Sequence, residues 1–184
     1  LTMSRTGDGR LYYTTRLQYV PKDALPATDQ GMRVERRFER SVDGGAAGAA
    51  ATSFAAGDLV RVTLRVTLPK EARFVAVTDP LSAGFEAVDG FFRTTSQDLS
   101  RDASMADTDG NWMSWMEKGG FDHVEKFDDR VQLFASRLST GTHEFSYIVR
   151  ATTGGSFVTA GTWAEMMYTP EVFGRAASSV IDIR

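Results

Sequence analysis

The chain has 184 residues, an apolar share of 42%, a charged share of 24%, a net charge of −3 and no cysteine. A chain of this size and balance buries roughly 70% of its unfolded surface, in one large or two small domains. Lacking cysteine it has no disulfide, thiolate nucleophile or zinc–thiolate site, and lacking a long basic patch it offers nothing to a polyanion such as nucleic acid.

Leu11–Val20, LYYTTRLQYV, alternates Leu11, Tyr13, Thr15, Leu17 and Tyr19 against Tyr12, Thr14, Arg16 and Gln18, the pattern of a half-buried strand that Pro21 ends. A polar connection, Lys22–Gln30, follows. Met32–Glu39 alternates again with Met32, Val34 and Phe38 inward, and Arg36 breaks the inward row, so an edge position or a bulge is expected. Ser41–Ala56, rich in Gly and Ala, reads as a flexible loop. Leu59–Leu68 is the cleanest strand, with Val60, Val62, Leu64, Val66 and Leu68 on one face. Arg73–Thr78, apolar at nearly every position, suits a strand covered on both sides, with a turn after it at Asp79–Pro80.

Ala83–Val88 reads as short and irregular, and Arg93–Gly120 as a polar insert in which Trp112, Trp115 and Met116 share one face of a short helix. That triplet either packs down or marks a contact surface. Strands resume at Phe121–Glu125, Arg130–Leu138, Thr142–Ala151 and Phe157–Ala160, and Ser178–Arg184 closes the chain around Ile181 and Ile183. Between the last two lies Trp163–Arg175, WAEMMYTPEVFGR, the longest apolar segment that does not read as a sheet strand. Pro170 removes a donor there and pushes Thr169 out of helical geometry. The segment either closes an edge or corner of the fold or is held out for a partner. About eight strands without helical crossovers predict an all-β antiparallel sandwich with a short helical insert, forming a single domain over residues 1–184. The Leu1 start suggests a piece of a longer protein; no signal-peptide pattern is visible in these residues, and any targeting signal would lie upstream of them.

Candidate chemistry is sparse. His123 and His143 fall in expected strands without metal-ligand spacing, so structural or solvent-facing roles are expected. Asp107, Asp109 and Asn111 resemble the opening of a calcium loop, but Gly110 and Trp112 break the EF-hand order. No GxSxG elbow is present, and GGS at Gly154–Ser156 is turn chemistry. Asp128 and Asp129 are adjacent and point apart, which does not suit an acid–base pair; His123–Asp129 is expected to form a salt-bridged turn with Arg130. No catalytic residue, metal or cofactor is assigned, and the chain is not expected to be an enzyme. Met166, Met167 and Tyr168 suit either a core or an interface, since Met adapts and Tyr carries a polar tip on an apolar ring.

Six stretches together carry a resemblance: GRLYYTTRLQYVP (Gly9–Pro21), GDLVRVTLRVTLP (Gly57–Pro69), RFVAVTDPLSAGFEAV (Arg73–Val88), FDHVEKFDDRVQLFA (Phe121–Ala135), HEFSYIVRATTGGSF (His143–Phe157) and AEMMYTPEVFGR (Ala164–Arg175). In this order they resemble the last macroglobulin-like domain of bacterial alpha-2-macroglobulins. The resemblance implies a macroglobulin or fibronectin-III-like sandwich, a non-catalytic module of a protease trap. The parent would be periplasmic, anchored as a lipoprotein, and would act on target proteases. It also implies partners within the same chain: other macroglobulin domains and a domain bearing a Cys–Gln thioester. The shielding pair would be Met167 and Tyr168, with Trp163, Glu165 and Phe173 supporting the shape of the segment. With no cysteine of its own, this chain would guard a thioester rather than own one. A different reading of the residues is a free-standing adhesion or ligand-binding sandwich using Trp112, Trp115 and Trp163 as an aromatic platform.

Overall fold

The alternation of Leu59–Leu68 fixes the centre of the molecule: all five inward side chains of that strand are buried, each worth about 1.5–3 kcal/mol in burial. The computed structural model describes residues 2–17, 24–42, 46–88 and 120–184. Its strands are β1 (Thr28–Gln30), β2 (Arg33–Val42), β3 (Ala46–Ala50), β4 (Ser53–Phe54), β5 (Leu59–Leu68), β6 (Ala72–Pro80) and β7 (Phe85–Ala87). After the insert come β8 (His123–Lys126), β9 (Arg130–Leu138), β10 (Gly141–Ala151), β11 (Gly155–Thr159), β12 (Trp163–Met166), β13 (Thr169–Arg175) and β14 (Ser179–Ile183). They form a six-stranded sheet in the order β1-β13-β12-β6-β9-β8, a five-stranded sheet β3-β2-β5-β10-β7 and a three-stranded sheet β11-β14-β4. Every pairing of these strands is antiparallel except that of β14 with β4. The two larger sheets make the β-sandwich, and Phe54, Ile181 and Ile183 from the third join the same core.

One polar cluster crosses that core. Asp79, fully buried on β6, accepts from the Arg36 guanidinium on β2 at 2.8 Å, from the Thr162 hydroxyl at 2.7 Å and from the Tyr147 hydroxyl on β10 at 2.5 Å. Arg36 also reaches the Pro80 carbonyl and the Ser179 hydroxyl, and its guanidinium lies 4.9 Å from the centre of the Phe38 ring. A carboxylate with three donors is a buried charge with its hydrogen bonds satisfied, the condition under which burial is tolerated. The phenol of Tyr147 is pushed well above its ordinary value of 10.0, first by burial and then by the Asp79 charge.

Several sequence expectations need correction. Leu11–Leu17 is not a strand: it pairs with none of the described strands and all its residues are exposed, while residues 18–20 lie outside the described set. Arg36 does not mark an edge, because β2 lies between β3 and β5; it stays in the inward row since Asp79 neutralises it there. A bulge does occur in β2, further on, between Glu39 and Ser41. The stretch expected as a loop over Ser41–Ala56 supplies the end of β2, all of β3 and β4, and the buried Phe54, since alanines can pair through backbone alone. Asp79–Pro80 ends β6 instead of forming a turn. Trp163–Arg175, expected not to be sheet, is a hairpin. The expected helix around Trp112 and Trp115 lies outside the described residues.

Asp79→Ala should cost about 3–5 kcal/mol in urea unfolding, because it strands a buried guanidinium, whereas Arg36→Met with Asp79→Leu should recover most of that loss. The alkaline limb has a defined sign. The folded phenol of Tyr147 keeps its proton above the pH at which the unfolded chain releases it. Its contribution is therefore complete below about pH 10 and is lost as pH rises towards the folded-state value. A tyrosine absorbance titration should show one phenol that ionises only as the fold is lost.

Candidate functional site: an aromatic hairpin tip

Met167 and Tyr168 alone join β12 to β13, so they are the two-residue turn of a hairpin. On its other side β12 pairs with β6, Trp163 opposite Thr78 and Met166 opposite Val75, and the Met167 amide continues that ladder by donating to the Phe74 carbonyl at 2.8 Å. Neither turn residue takes a positive φ. A two-residue turn of that kind does not match the twist of its arms and splays them. The register shows the result: Glu165 faces Phe173 but Met166 faces Thr169, so Pro170, Glu171 and Val172 have no partner on β12. Pro170, with no N–H to give, sits where the ladder needs none.

The root of the hairpin is held tightly. Thr162, immediately before β12, is the residue that donates to Asp79, and its carbonyl accepts from the Ala176 amide at 2.9 Å. A Cβ on Gly161 would stand 1.8 Å from the Ala176 carbonyl oxygen, and one on Gly174 would stand 2.1 Å from that of Met32. Both positions therefore require glycine for close backbone approach.

Above this root the outer face carries Trp163 stacked on Phe173, with ring centres 4.5 Å apart and planes at 14°. Glu165 accepts from the indole N–H at 3.0 Å, fixing the Trp163 ring in plane. At the tip, Tyr168 is 77% exposed and Met167 47%. Behind them stands Phe74, 49% exposed, whose ring meets that of Tyr168 edge-on at 5.2 Å and 87°.

Phe74 has φ of 52°, the single positive φ at a non-glycine position among the described residues. For an aromatic side chain this is a strained conformation, costing about 1–3 kcal/mol. It resets the alternation of β6: Ala72 and Val75 are buried while Arg73 and Phe74 between them both face out. The facing β9 shifts phase at the same level, with Ser136 and Arg137 exposed between buried Ala135 and Leu138. The strain thus places an aromatic ring outside the core, against the tip.

All five residues named from the resemblance fall on this hairpin: Met167 and Tyr168 form its turn, and Trp163, Glu165 and Phe173 its outer face. Phe74 was missed. Its place in the apolar run RFVAVT pointed to cover on both sides, and no residue type there announces a left-handed backbone. The histidines join no site: His123 pairs with Glu125 and stacks on Phe134, and His143 bonds the Ser139 carbonyl. Among the described residues no group of three His, Asp or Glu side chains is placed to hold a metal ion. Arg130 pairs with Asp129 as expected, but the turn is confined to residues 127–129, because His123–Lys126 is strand β8. Chemically, then, the tip offers apolar surface, a polarisable thioether and a phenol, with no nucleophile beside a base.

The family model of the Bacterial Alpha-2-macroglobulin MG10 domain matches residues 31–171, more than half of the chain. The chain belongs to that family. An alpha-2-macroglobulin homolog of Nostoc is 29% identical over 184 residues, covering 96% of this chain and 9% of the relative. A Dictyostelium protein, Circularly permutated Ras protein 2, is 24% identical, covering 97% of this chain and 4% of that one. Native alpha-2-macroglobulin from Escherichia coli, in a structure spanning domain MG7 to the C-terminus, shares the fold with a TM-score of 0.71 at 23% identity. That likeness covers 89% of this chain and 25% of the other. The chain thus spans a tenth or less of the length of these curated relatives.

Within this MG10 domain the strain at Phe74 is measurable. Phe74→Gly and Phe74→Ala remove the same ring contact, yet glycine accepts a positive φ and alanine does not. The glycine variant should therefore be more stable than the alanine variant by about 1 kcal/mol in urea unfolding. Equal stabilities would mean the backbone at Phe74 is relaxed.

Proposed function

We propose that this MG10 domain is a non-catalytic docking module of an alpha-2-macroglobulin-type protease trap, and that its hairpin tip covers the Cys–Gln thioester of a neighbouring domain in the parent protein. The observation that carries the reading is the tip itself. Tyr168 and Met167 stand out on a turn whose root is tied to the buried Asp79, with Phe74 as a backstop. Large apolar groups held rigidly in solvent are suited to desolvating a partner surface.

A thioester is an activated acyl group. An attacking amine forms a C–N bond at the acyl carbon, the C–S bond breaks, and the proton lost from nitrogen goes to the leaving thiolate. An aromatic ring and a thioether laid over that carbon exclude water and amines until the domains separate. The parent is proposed to be a periplasmic, lipid-anchored protein that engages target proteases, with the other macroglobulin domains as further contacts.

The adhesion reading receives less support. One face of Trp163 is covered by Phe173 and its N–H is taken by Glu165, while Trp112 and Trp115 lie outside the described residues.

Methylamine treatment of the full-length parent tests the proposal. One thiol should appear, matched by a methylamide adduct in the mass. Tyr168→Ala should speed that release about tenfold or more, in line with losing roughly 1.4 kcal/mol or more of docking, with urea stability of this domain within about 0.5 kcal/mol of the parent sequence. An unchanged rate in the variant would remove the tip from the shielding role.

A further inference from the structure

Two arginines face each other across the sheet beside the hairpin tip. Arg73 on β6 is the register partner of Arg137 on β9, and like charges directly opposite destabilise a pair of strands. The next pair in the ladder is Val75 with Ala135, so Phe74 and Ser136 are passed over and stay exposed beside the two arginines. Across the surface the order is therefore Tyr168, Phe74, Arg73, Arg137: the Tyr168 ring meets that of Phe74, Phe74 adjoins Arg73, and Arg73 faces Arg137.

One carboxylate, Glu71, serves both guanidiniums. It accepts from a terminal nitrogen of Arg137 at 2.6 Å and from Nε of Arg73 at 3.2 Å, and it is held below its ordinary value of 4.5, first by Arg137 and then by Arg73. A positive charge is left over, and Lys70 adds another. Asp122, the carboxylate nearest to Ser136 in hydrogen bonding, is taken up by the amide of that residue. Arg73 is 67% exposed and Arg137 66%, and ion pairs in such positions contribute little to folding. Folding therefore does not account for two arginines set face to face. Arg73 gives Glu71 only its Nε; its two terminal nitrogens, the fork that grips a carboxylate through parallel hydrogen bonds, have no partner among the described residues.

We propose that Arg73 and Arg137 take an aspartate or glutamate side chain of the domain that the hairpin tip covers, as the charged rim of a contact centred on Tyr168 and Met167. A protein carboxylate fits better than a polyanion. The patch is small, with no basic stripe leading away from it, and its neighbours are Tyr and Met, which together with Arg are the residues that protein interfaces enrich. Tyr168 and Met167 then supply the apolar centre of the contact, while the arginines fix its orientation. This rests on the reading of the tip as a docking surface, and it is independent of a thioester.

Carbodiimide coupling in the full-length parent tests it. Arg73→Lys keeps the charge and supplies the amine that direct coupling to a carboxylate requires. Peptide mapping by mass should find position 73 joined to an aspartate or glutamate of a neighbouring domain. Coupling confined to residues 1–184, Glu71 included, overturns the proposal, and so does coupling to a separate polypeptide. Arg73→Gln with Arg137→Gln should speed methylamine release about fivefold or more, and added salt should speed release in the unsubstituted protein more than in this variant. If Tyr168→Ala speeds release and the double variant does not, the rim adds nothing to docking and the proposal falls. If Tyr168→Ala leaves release unchanged while position 73 still couples to the neighbouring domain, the shield fails and the rim stands.

Discussion

The carboxylate of Asp79 is the constraint on which the sandwich is built. Its charge is unsustainable in a dry core without Arg36, and Arg36 is equally unsustainable without it, so β6 and β2 are obliged to face each other at one level. Tyr147 adds a third strand to that obligation and Thr162 a fourth point. Apolar packing between two sheets tolerates sliding; a carboxylate with three directed donors does not. The cluster therefore fixes register between the layers, and β5, which contributes only methyl-bearing side chains to the interior, follows from its pairing with β2 and β10.

The same carboxylate positions the surface feature. Thr162 is the last residue before the hairpin, so its bond to Asp79 sets where β12 starts, and Trp163 pairs with Thr78, the neighbour of Asp79 on β6. Three residues on, the chain reaches Met166, and the turn stands against Phe74 at the other end of the same strand. Rigidity is passed along β6 from core to tip. A strained Phe74 persists between neighbours that are held, Arg73 and Val75 in the ladder with β9 and Val75 also in that with β12, while its own carbonyl accepts from the Met167 amide. The tip is thus preorganised: an exposed Tyr168 that is held by its neighbours would have less entropy to lose in any contact it made.

What the sequence made legible follows the physics of alternation. Leu59–Leu68, Arg130–Leu138 and the buried row Phe145, Tyr147, Val149, Ala151 were readable because a one-residue slip would expose each set. Residues whose role depends on a distant partner were not. Arg36 looked like a break because its partner lies 43 positions away, and Asp79-Pro80 looked like a turn because aspartate and proline usually mark one. The alanines of β3 carry no face at all, so only the backbone pairing with β2 reveals them. In the hairpin, Pro170 argued against a strand; the bulge that accommodates it is a property of the turn, two residues earlier, and of the splay that turn imposes.

Leu11–Leu17 shows the opposite case, in which the residues alternate as in a strand and the structure forms none there. A helix satisfies its backbone internally, so a helical pattern commits a segment wherever it sits. A strand does not: period-two alternation states which side of the ribbon is apolar and leaves the identity of the adjoining strand unstated. The expectation of a strand was local, and no described strand of this chain pairs with the segment. The exposed tyrosines of this segment and the exposed Tyr168 of the hairpin then have a common physical meaning. Both are apolar groups that this chain leaves exposed, the first unordered by any described ladder and the second held by the packing of its hairpin.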